Sequence, residues 1–217
     1  LRYINNIPFY GYSVLCVDDP VIREILPHVE RPYFTYGTSE DADFRASDIR
    51  FENGMTSYDC SFRGKSLGRI ELKLLGRHNV INSLAVIAVA HELELGFDCI
   101  KRGLAAFKGV GRRLELVGEK NGITVIDDYG HHPTEIRATL QALSTLGRRV
   151  LVVFQPHRYS RTQLLFEDFG SAFGAADRLF LTEIYPAGEA PIEGVSSELI
   201  RAAVEKHEGK APAIIRR

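Results

Sequence analysis

The chain has 217 residues, 45% of them hydrophobic and 25% charged, and 27 basic against 28 acidic residues leave a formal net charge of -1. That composition suffices for one sizeable core or two smaller ones and excludes intrinsic disorder. The near-neutral charge removes any general electrostatic reason to expect nucleic-acid binding. Cys16, Cys60 and Cys99 are too few and too widely spaced for a disulfide framework or paired zinc ligands, and read as buried or half-buried thiols in a reducing compartment. The longest apolar run, around 84–90, is far short of the roughly 20 residues a membrane span needs, and no signal peptide is visible. A cytoplasmic protein without a membrane partner is the expectation.

In chain order, Ser13-Val14-Leu15-Cys16-Val17-Asp18-Asp19 reads as an apolar strand ending in acid, followed by a short helix over 20–26. A strand at 33–36 and alternating segments at 44–51, 56–63 and 68–74 come next. Asn53-Gly54 and Arg63-Gly64 punctuate them as hairpin turns. A helix over 79–95 is apolar nearly all round, which predicts burial, with Gly96 as its C-terminal cap. Another helix at about 99–107 leads into Lys108-Gly109-Val110-Gly111, a flexible stretch that marks a domain junction, so that 1–108 and 109–217 form two parts.

The second part alternates strand and helix three times: 123–127 then 133–146, 150–154 then 161–175, 178–184 then 196–207. This rhythm predicts α/β architecture, a parallel sheet with helices on its faces. The run at 150–154 is continuous in apolar residues, as in a strand buried on both sides.

Polar chemistry gathers where two of these strands end. Asp127-Asp128-Tyr129-Gly130-His131-His132-Pro133-Thr134-Glu135 follows the first, and ligands in open α/β sheets sit at the carboxyl ends of strands. Pro133 suits a first helical position, which makes His132 the capping residue and Glu135 a first-turn anion. Gln155-Pro156-His157-Arg158-Tyr159-Ser160-Arg161-Thr162 follows the second. Arg158 and Arg161, three residues apart near a helix start, can converge on one carboxylate or phosphate. A hydrolase metal site built from Asp127, Asp128, His131 and His132 is disfavoured, because neighbours on a strand point to opposite faces. No metal ligand is assigned in this chain.

The runs DDYGHHPTEI (127–136), QPHRYSRT (155–162), GRHNVINSLAVIAVA (76–90) and GVGRRLELVGE (109–119) resemble the Mur ligase family, and NNIPFYGYSVLCVDDPVIREILP (5–27) extends the resemblance over essentially the whole chain. The resemblance implies the remainder of a central ATPase domain, a mixed sheet with helices, over 1–108, followed by a Rossmann-like C-terminal domain over 109–217. It implies ATP and Mg2+ as cofactors, UDP-N-acetylmuramate and L-alanine as substrates in peptidoglycan synthesis, and an acyl phosphate intermediate. Alternatives are a sibling ligase attaching a recycled peptide to the same muramoyl nucleotide, and a non-catalytic nucleotide-binding module.

By the same resemblance, His78, Asn79 and Asn82 serve the adenine and Arg113 reaches the nucleotide phosphates, while Asp128 meets the ribose or phosphates. Tyr129, His131, Arg158 and Arg161 shape the pocket for the amino acid and the muramoyl carboxylate. Asp128, His131, Arg158 and Arg161 form the implied catalytic set, with His132 and His157 ranked lower. Read without the resemblance, Asn79 is a helix cap and Arg112-Arg113 a solvated pair. The family's Gly-rich phosphate loop is missing. Gly64-Lys65-Ser66 echoes its end but lacks its preceding glycine and lies among strands. The expectation is therefore a portion of a longer ligase that is inactive alone, with Gly109 and Gly111 as its closing hinge.

Overall fold

The computed structural model describes residues 1–52, 54–209 and 211–215. Two compact units, Leu1–Gly109 and Val110–Arg217, each carry their own core.

The first unit opens with a single helical turn, α1 (Arg2–Asn5), and is built on a five-stranded sheet, β1 (Ser13–Cys16), β2 (Tyr33–Gly37), β3 (Phe44–Glu52), β4 (Met55–Phe62) and β5 (Lys65–Leu72), in sequential order. The first three strands run parallel and the last three antiparallel, so the sheet is mixed. α2 (Pro20–Ile25) starts at Asp19, whose carboxylate accepts the N–H groups of Val21 and Ile22 at 2.8 and 3.0 Å, with Pro20 in the first turn where no N–H is needed. Strict alternation along β4 buries Thr56, Tyr58 and Cys60, which meet Phe44, Ile70 and Leu72 on one face of the sheet. Val80, Leu84, Ile87 and Ala88 of α3 (Arg77–Glu92), and Ile100 and Leu104 of α4 (Phe97–Ala106), complete that core.

The expected turn at Arg63-Gly64 joins β4 to β5, both residues taking positive φ (47° and 77°). The Gly64-Lys65-Ser66 echo is thus a hairpin turn followed by strand, with no helix whose N–H groups could hold a phosphate. In the expected turn at Asn53-Gly54, Glu52 pairs with Met55, and Asn53 lies outside the described residues. Three expectations need correction. Gly96 does not end α3: Glu94 takes the left-handed conformation there (φ 57°), and Gly96 begins α4 in extended geometry. α3 is not buried all round, since Val86 and Val89 face solvent opposite the stripe that meets the sheet. Cys99, at the start of α4, is exposed, while Cys16 is half-buried and Cys60 buried.

In the second unit, β6 (Glu115–Lys120) and β7 (Ile123–Asp127) form an antiparallel hairpin. There follow α5 (Pro133–Ser144), β8 (Leu151–Phe154), α6 (Tyr159–Gly170), β9 (Arg178–Thr182), α7 (Ser197–Glu208) and β10 (Ala213–Ile215). β8, β9 and β10 make a parallel sheet in the order β10-β9-β8. The alternation of strands and helices is therefore as expected, but the single sheet is not. β7 spends one edge on β6 and bonds to no strand of the parallel sheet. Between β7 and β8 lies a cleft of about 900 Å³, lined by Val125, Asp127, Leu140, Val152 and Phe154 among others. Ile136 and Leu140 of α5, Phe169 of α6 and Ile200 and Val204 of α7 share one core with Phe154 and Leu181. Helices thus cover that face, and Leu151 and Val153, pointing the other way, are exposed. β8 is an outer strand, not the doubly buried one its apolar run suggests.

No helix among the described residues is long and apolar enough to cross a membrane.

Candidate active site

α5 begins as the sequence dictates. His132 is the capping residue, its Nδ1 accepting the N–H of Thr134 at 3.3 Å, Pro133 occupies the first turn, and the Glu135 carboxylate reaches back to the N–H of His132 at 3.2 Å. The chain before it is held just as closely. Asp128 accepts the N–H of Leu114 (2.9 Å) on Oδ2 and that of Gly130 (2.7 Å) on Oδ1. Asp127 instead pairs with Arg112 at 3.0 Å, and the Arg112 guanidinium lies 4.9 Å from the Tyr129 ring centre. The two neighbouring aspartates therefore serve different partners. Among the described residues no three His, Cys, Asp or Glu side chains are grouped to hold a metal ion.

His131 lies half-buried with Nδ1 2.9 Å from the Tyr129 carbonyl oxygen. A carbonyl only accepts, so the neutral ring carries its proton on Nδ1 and leaves Nε2 as the acceptor nitrogen. Glu135 stands beside it: Oε2 accepts the N–H of His131 at 3.0 Å and lies 3.8 Å from its Nδ1, while Oε1 is 3.4 Å from both Nη1 and Nη2 of Arg113. Burial pushes the Glu135 carboxyl up, but the two N–H donors, the His131 ring and Arg113 outweigh it and hold the group below its ordinary value.

The loop after β8 meets this one through a run of rings. Centroids of Tyr129 and His131 are 5.2 Å apart, of His131 and His157 5.9 Å, and of His157 and Tyr185 5.4 Å. Tyr185 comes from the loop after β9, so three strand ends contribute to one ring ladder. Backbone bonds stitch the latter two loops together: Arg158 N–H to Tyr185 O and Tyr185 N–H to Pro156 O, both 2.8 Å. Arg158 caps α6 at φ 75°, ψ 141°, a conformation that belongs to glycine. Its guanidinium approaches Glu189 at 4.0 Å, and Glu189 also accepts the N–H and the hydroxyl of Ser160 at 3.0 and 2.6 Å. Arg161 lies against His157, 3.3 Å from both its Nδ1 and its carbonyl oxygen. Partial burial and the nearby Arg161, His131 and Arg158 lower the His157 pKa.

Six residues singled out in the sequence thus lie in this unit: Arg113, Asp128, Tyr129, His131, Arg158 and Arg161. The two arginines flank the ring ladder without sharing one partner, Arg158 facing Glu189 and Arg161 facing His157. The sequence reading missed Tyr185, Glu189 and the contact of Glu135 with Arg113. The first two lie in the segment after β9, and no local sequence signal marks them.

In the first unit, His78 and Asn79 are half-buried and Asn82 is exposed near the start of α3. Asn79 is no N-cap, since the helix begins at Arg77. Its side-chain amide donates to the Leu75 carbonyl at 2.8 Å, which leaves Oδ1 as an acceptor. Asn79 and Asn82, three apart, share one helix face.

Residues 1–90 match the Mur ligase middle domain, and residues 112–216 match the domain described as Mur ligase, glutamate ligase domain. The chain is 55% identical over 207 residues to the UDP-N-acetylmuramate–L-alanine ligase of Geobacter sulfurreducens, covering 94% of this chain and 45% of that protein. It is 54% identical over 209 residues to the ligase of the same description from Geobacter sp. strain M21, covering 95% and 45%. A solved UDP-N-acetylmuramate-alanine ligase from Thermotoga maritima superposes with a TM-score of 0.74 at 27% identity, over 94% of this chain and 43% of that one. The chain spans a little under half the length of the curated relatives it matches.

Proposed function

Because the chain belongs to the Mur ligase family, we propose that it is part of an ATP-dependent ligase that joins L-alanine to UDP-N-acetylmuramate in peptidoglycan synthesis, in the cytoplasm. Residues 1–108 are the second part of the central ATP-binding domain and 109–217 the C-terminal domain. The observation that carries the reading is the gathering of Tyr129, His131, Arg158 and Arg161 by adjoining strand-end loops, in a chain more than half identical to two such ligases.

In this reading Arg158 and Arg161 bind carboxylates, those of the amino acid and of the muramoyl group, with charge-assisted hydrogen bonds. The rings of Tyr129, His131, His157 and Tyr185 line one side of the amino-acid site in this reading. Nε2 of His131 accepts the proton that leaves the ammonium group, and the freed amine lone pair attacks the activated carboxyl carbon, expelling phosphate. Nδ1–H stays on the Tyr129 carbonyl throughout.

The nucleotide contacts fit the residues present. Asn79 Oδ1 and the exposed Asn82 amide offer an acceptor and donors to a base edge, beside His78. The Asp128 oxygens each keep a lone pair for a ribose hydroxyl after accepting one N–H. Arg113 supplies positive charge for phosphates. Mg2+ would neutralise charge on the transferring phosphoryl group, but no acidic cluster among the described residues suits it, and no step here depends on it.

The test joins this chain to the remaining portion found in its relatives and measures phosphate release from ATP. Release that requires both UDP-N-acetylmuramate and L-alanine is expected. Release that responds to a murein tripeptide and not to alanine would instead assign the sibling activity, and no release from a folded protein would leave a binding module.

A further inference from the structure

A capping box needs one thing of its glutamate, a carboxylate or amide oxygen for the capping residue's N–H, and glutamine serves as well. Glu135 does more. One oxygen takes the N–H groups of both His131 and His132 and lies 3.8 Å from the His131 ring, while the other faces both terminal nitrogens of Arg113 at 3.4 Å. Arg113 and His131 are eighteen positions apart in sequence and meet on this one side chain, which is about two-thirds buried.

We propose that Glu135 is a positioning residue that couples Arg113 to His131, its single negative charge being shared between the arginine and the imidazole until a phosphate draws the arginine away. The proposal rests on the ligase reading for the roles of its two partners, though the contact stands without it. When Arg113 turns to a phosphate, the carboxylate charge falls on His131 alone and favours its protonated form. The proton leaving the ammonium nitrogen then goes to Nε2, the resulting imidazolium keeps Nδ1–H on the Tyr129 carbonyl, and Glu135 balances its charge. Proton acceptance is thereby strengthened only once the nucleotide side is filled. The other groups facing His131 are the Tyr129 ring and the His157 ring with Arg161 behind it. All of them are neutral or positive, so none can take over the carboxylate's part.

The first test uses the 217-residue chain and needs no turnover: the side-chain carboxylate of Glu135 is followed by carbon NMR as pH is lowered. Arg113→Ala should move its titration midpoint up by at least about 0.7 unit, the value for loss of one charge about 4 Å away in bulk water, because the carboxylate is partly buried. His131→Ala should move it up too, and the two effects should be non-additive in the double variant. A midpoint unmoved by Arg113→Ala overturns the proposal and leaves Glu135 a cap.

The second test uses Glu135→Gln in the joined ligase, since glutamine preserves the cap and removes the charge. A Tm lowered only slightly, as loss of one partly exposed charge at a helix start implies, with kcat lowered several-fold, the L-alanine KM little altered and the acidic limb of the kcat–pH profile displaced is expected. Parental kcat and pH profile in that variant would contradict the proposal. Absence of alanine-dependent activity in the unsubstituted ligase would count against the functional reading and leave the carboxylate titration to decide the contact.

Discussion

Arg158 holds a backbone conformation, φ 75° and ψ 141°, that a residue with a Cβ adopts at a cost of about 1–3 kcal/mol. Three bonds fix it there: its N–H to Tyr185 O at 2.8 Å, and its carbonyl to the N–H and hydroxyl of Thr162 at 3.2 and 2.9 Å. Glycine at this position relieves the strain and gives back about 0.5–1 kcal/mol through the freedom it gains in the unfolded chain. Alanine keeps the strain, and both substitutions lose the same weak contact with Glu189, so comparing the two cancels the guanidinium. The difference works out at roughly 0.5–2 kcal/mol in favour of Arg158→Gly over Arg158→Ala. The chain has no tryptophan, so urea unfolding followed by tyrosine fluorescence and far-ultraviolet dichroism, on the transition of the second unit, is the assay. Alanine equal to or more stable than glycine refutes the strain argument. Confirmation would place strain at a residue assigned to substrate binding, where function and stability ask for different residues.

Other outcomes follow from the packing. A Cβ at Gly170 would lie 2.6 Å from the His207 ring and 2.8 Å from the Ala203 carbonyl oxygen, so Gly170→Ala should cost about 1–3 kcal/mol by forcing α6 from α7. Gly103→Ala, in a helix with open space at that point, should stabilise by about 0.5–1 kcal/mol, and chemical denaturation reads both. Burial pushes the Cys60 thiol up to about 12, whereas Cys99 is exposed, so a thiol reagent at neutral pH should label Cys99 rapidly and Cys60 only on unfolding. Equal labelling rates in the native chain would show that the core of the first unit is not closed. Burial raises the Asp43 carboxyl, but the Thr35 N–H, the Arg63 guanidinium and the Thr35 hydroxyl together hold it below its ordinary value. A folded value below the unfolded one means that the stabilisation is complete above the unfolded pKa of about 4 and is lost as pH falls through the folded value. Tm should therefore fall more steeply in acid for the parent than for Asp43→Asn, and parallel curves would contradict that assignment.

Local chemistry was legible in the sequence wherever one residue type decides the geometry. Pro133 after His132, with Glu135 two residues further on, gave the start of α5. Arg63-Gly64 gave a hairpin, and the alternation of Thr56, Tyr58 and Cys60 gave the buried face of β4. What was hidden depends on contacts distant in sequence. Whether Leu151 and Val153 are covered is decided by which face the helices choose, and an apolar run reads alike whether one side or both are packed. Glu94, a charged residue with a Cβ, gives no sign that it reverses the chain in place of Gly96. Tyr185 and Glu189 join the site because Tyr185 bonds to the loop after β8, and nothing local to the sequence announces that pairing. Glu135 was recognised as a first-turn anion, while its contact with Arg113 comes from a segment 22 residues earlier.

The central claim is that Arg158 and Arg161 bind the carboxylates of the incoming amino acid and of the muramoyl group, and its amino-acid half is tested most directly by the ratio of kcat/KM for L-alanine over L-alaninamide in the ligase containing this chain. Alaninamide carries the same amine and methyl group but no carboxylate. A ratio of at least several tens in the parent, reduced to near unity in the Arg158→Ala/Arg161→Ala variant because the preference for a carboxylate is lost while the missing muramoyl contact slows both amines alike, is predicted. Discrimination that persists undiminished in the doubly substituted enzyme would contradict it and move amino-acid recognition away from these loops.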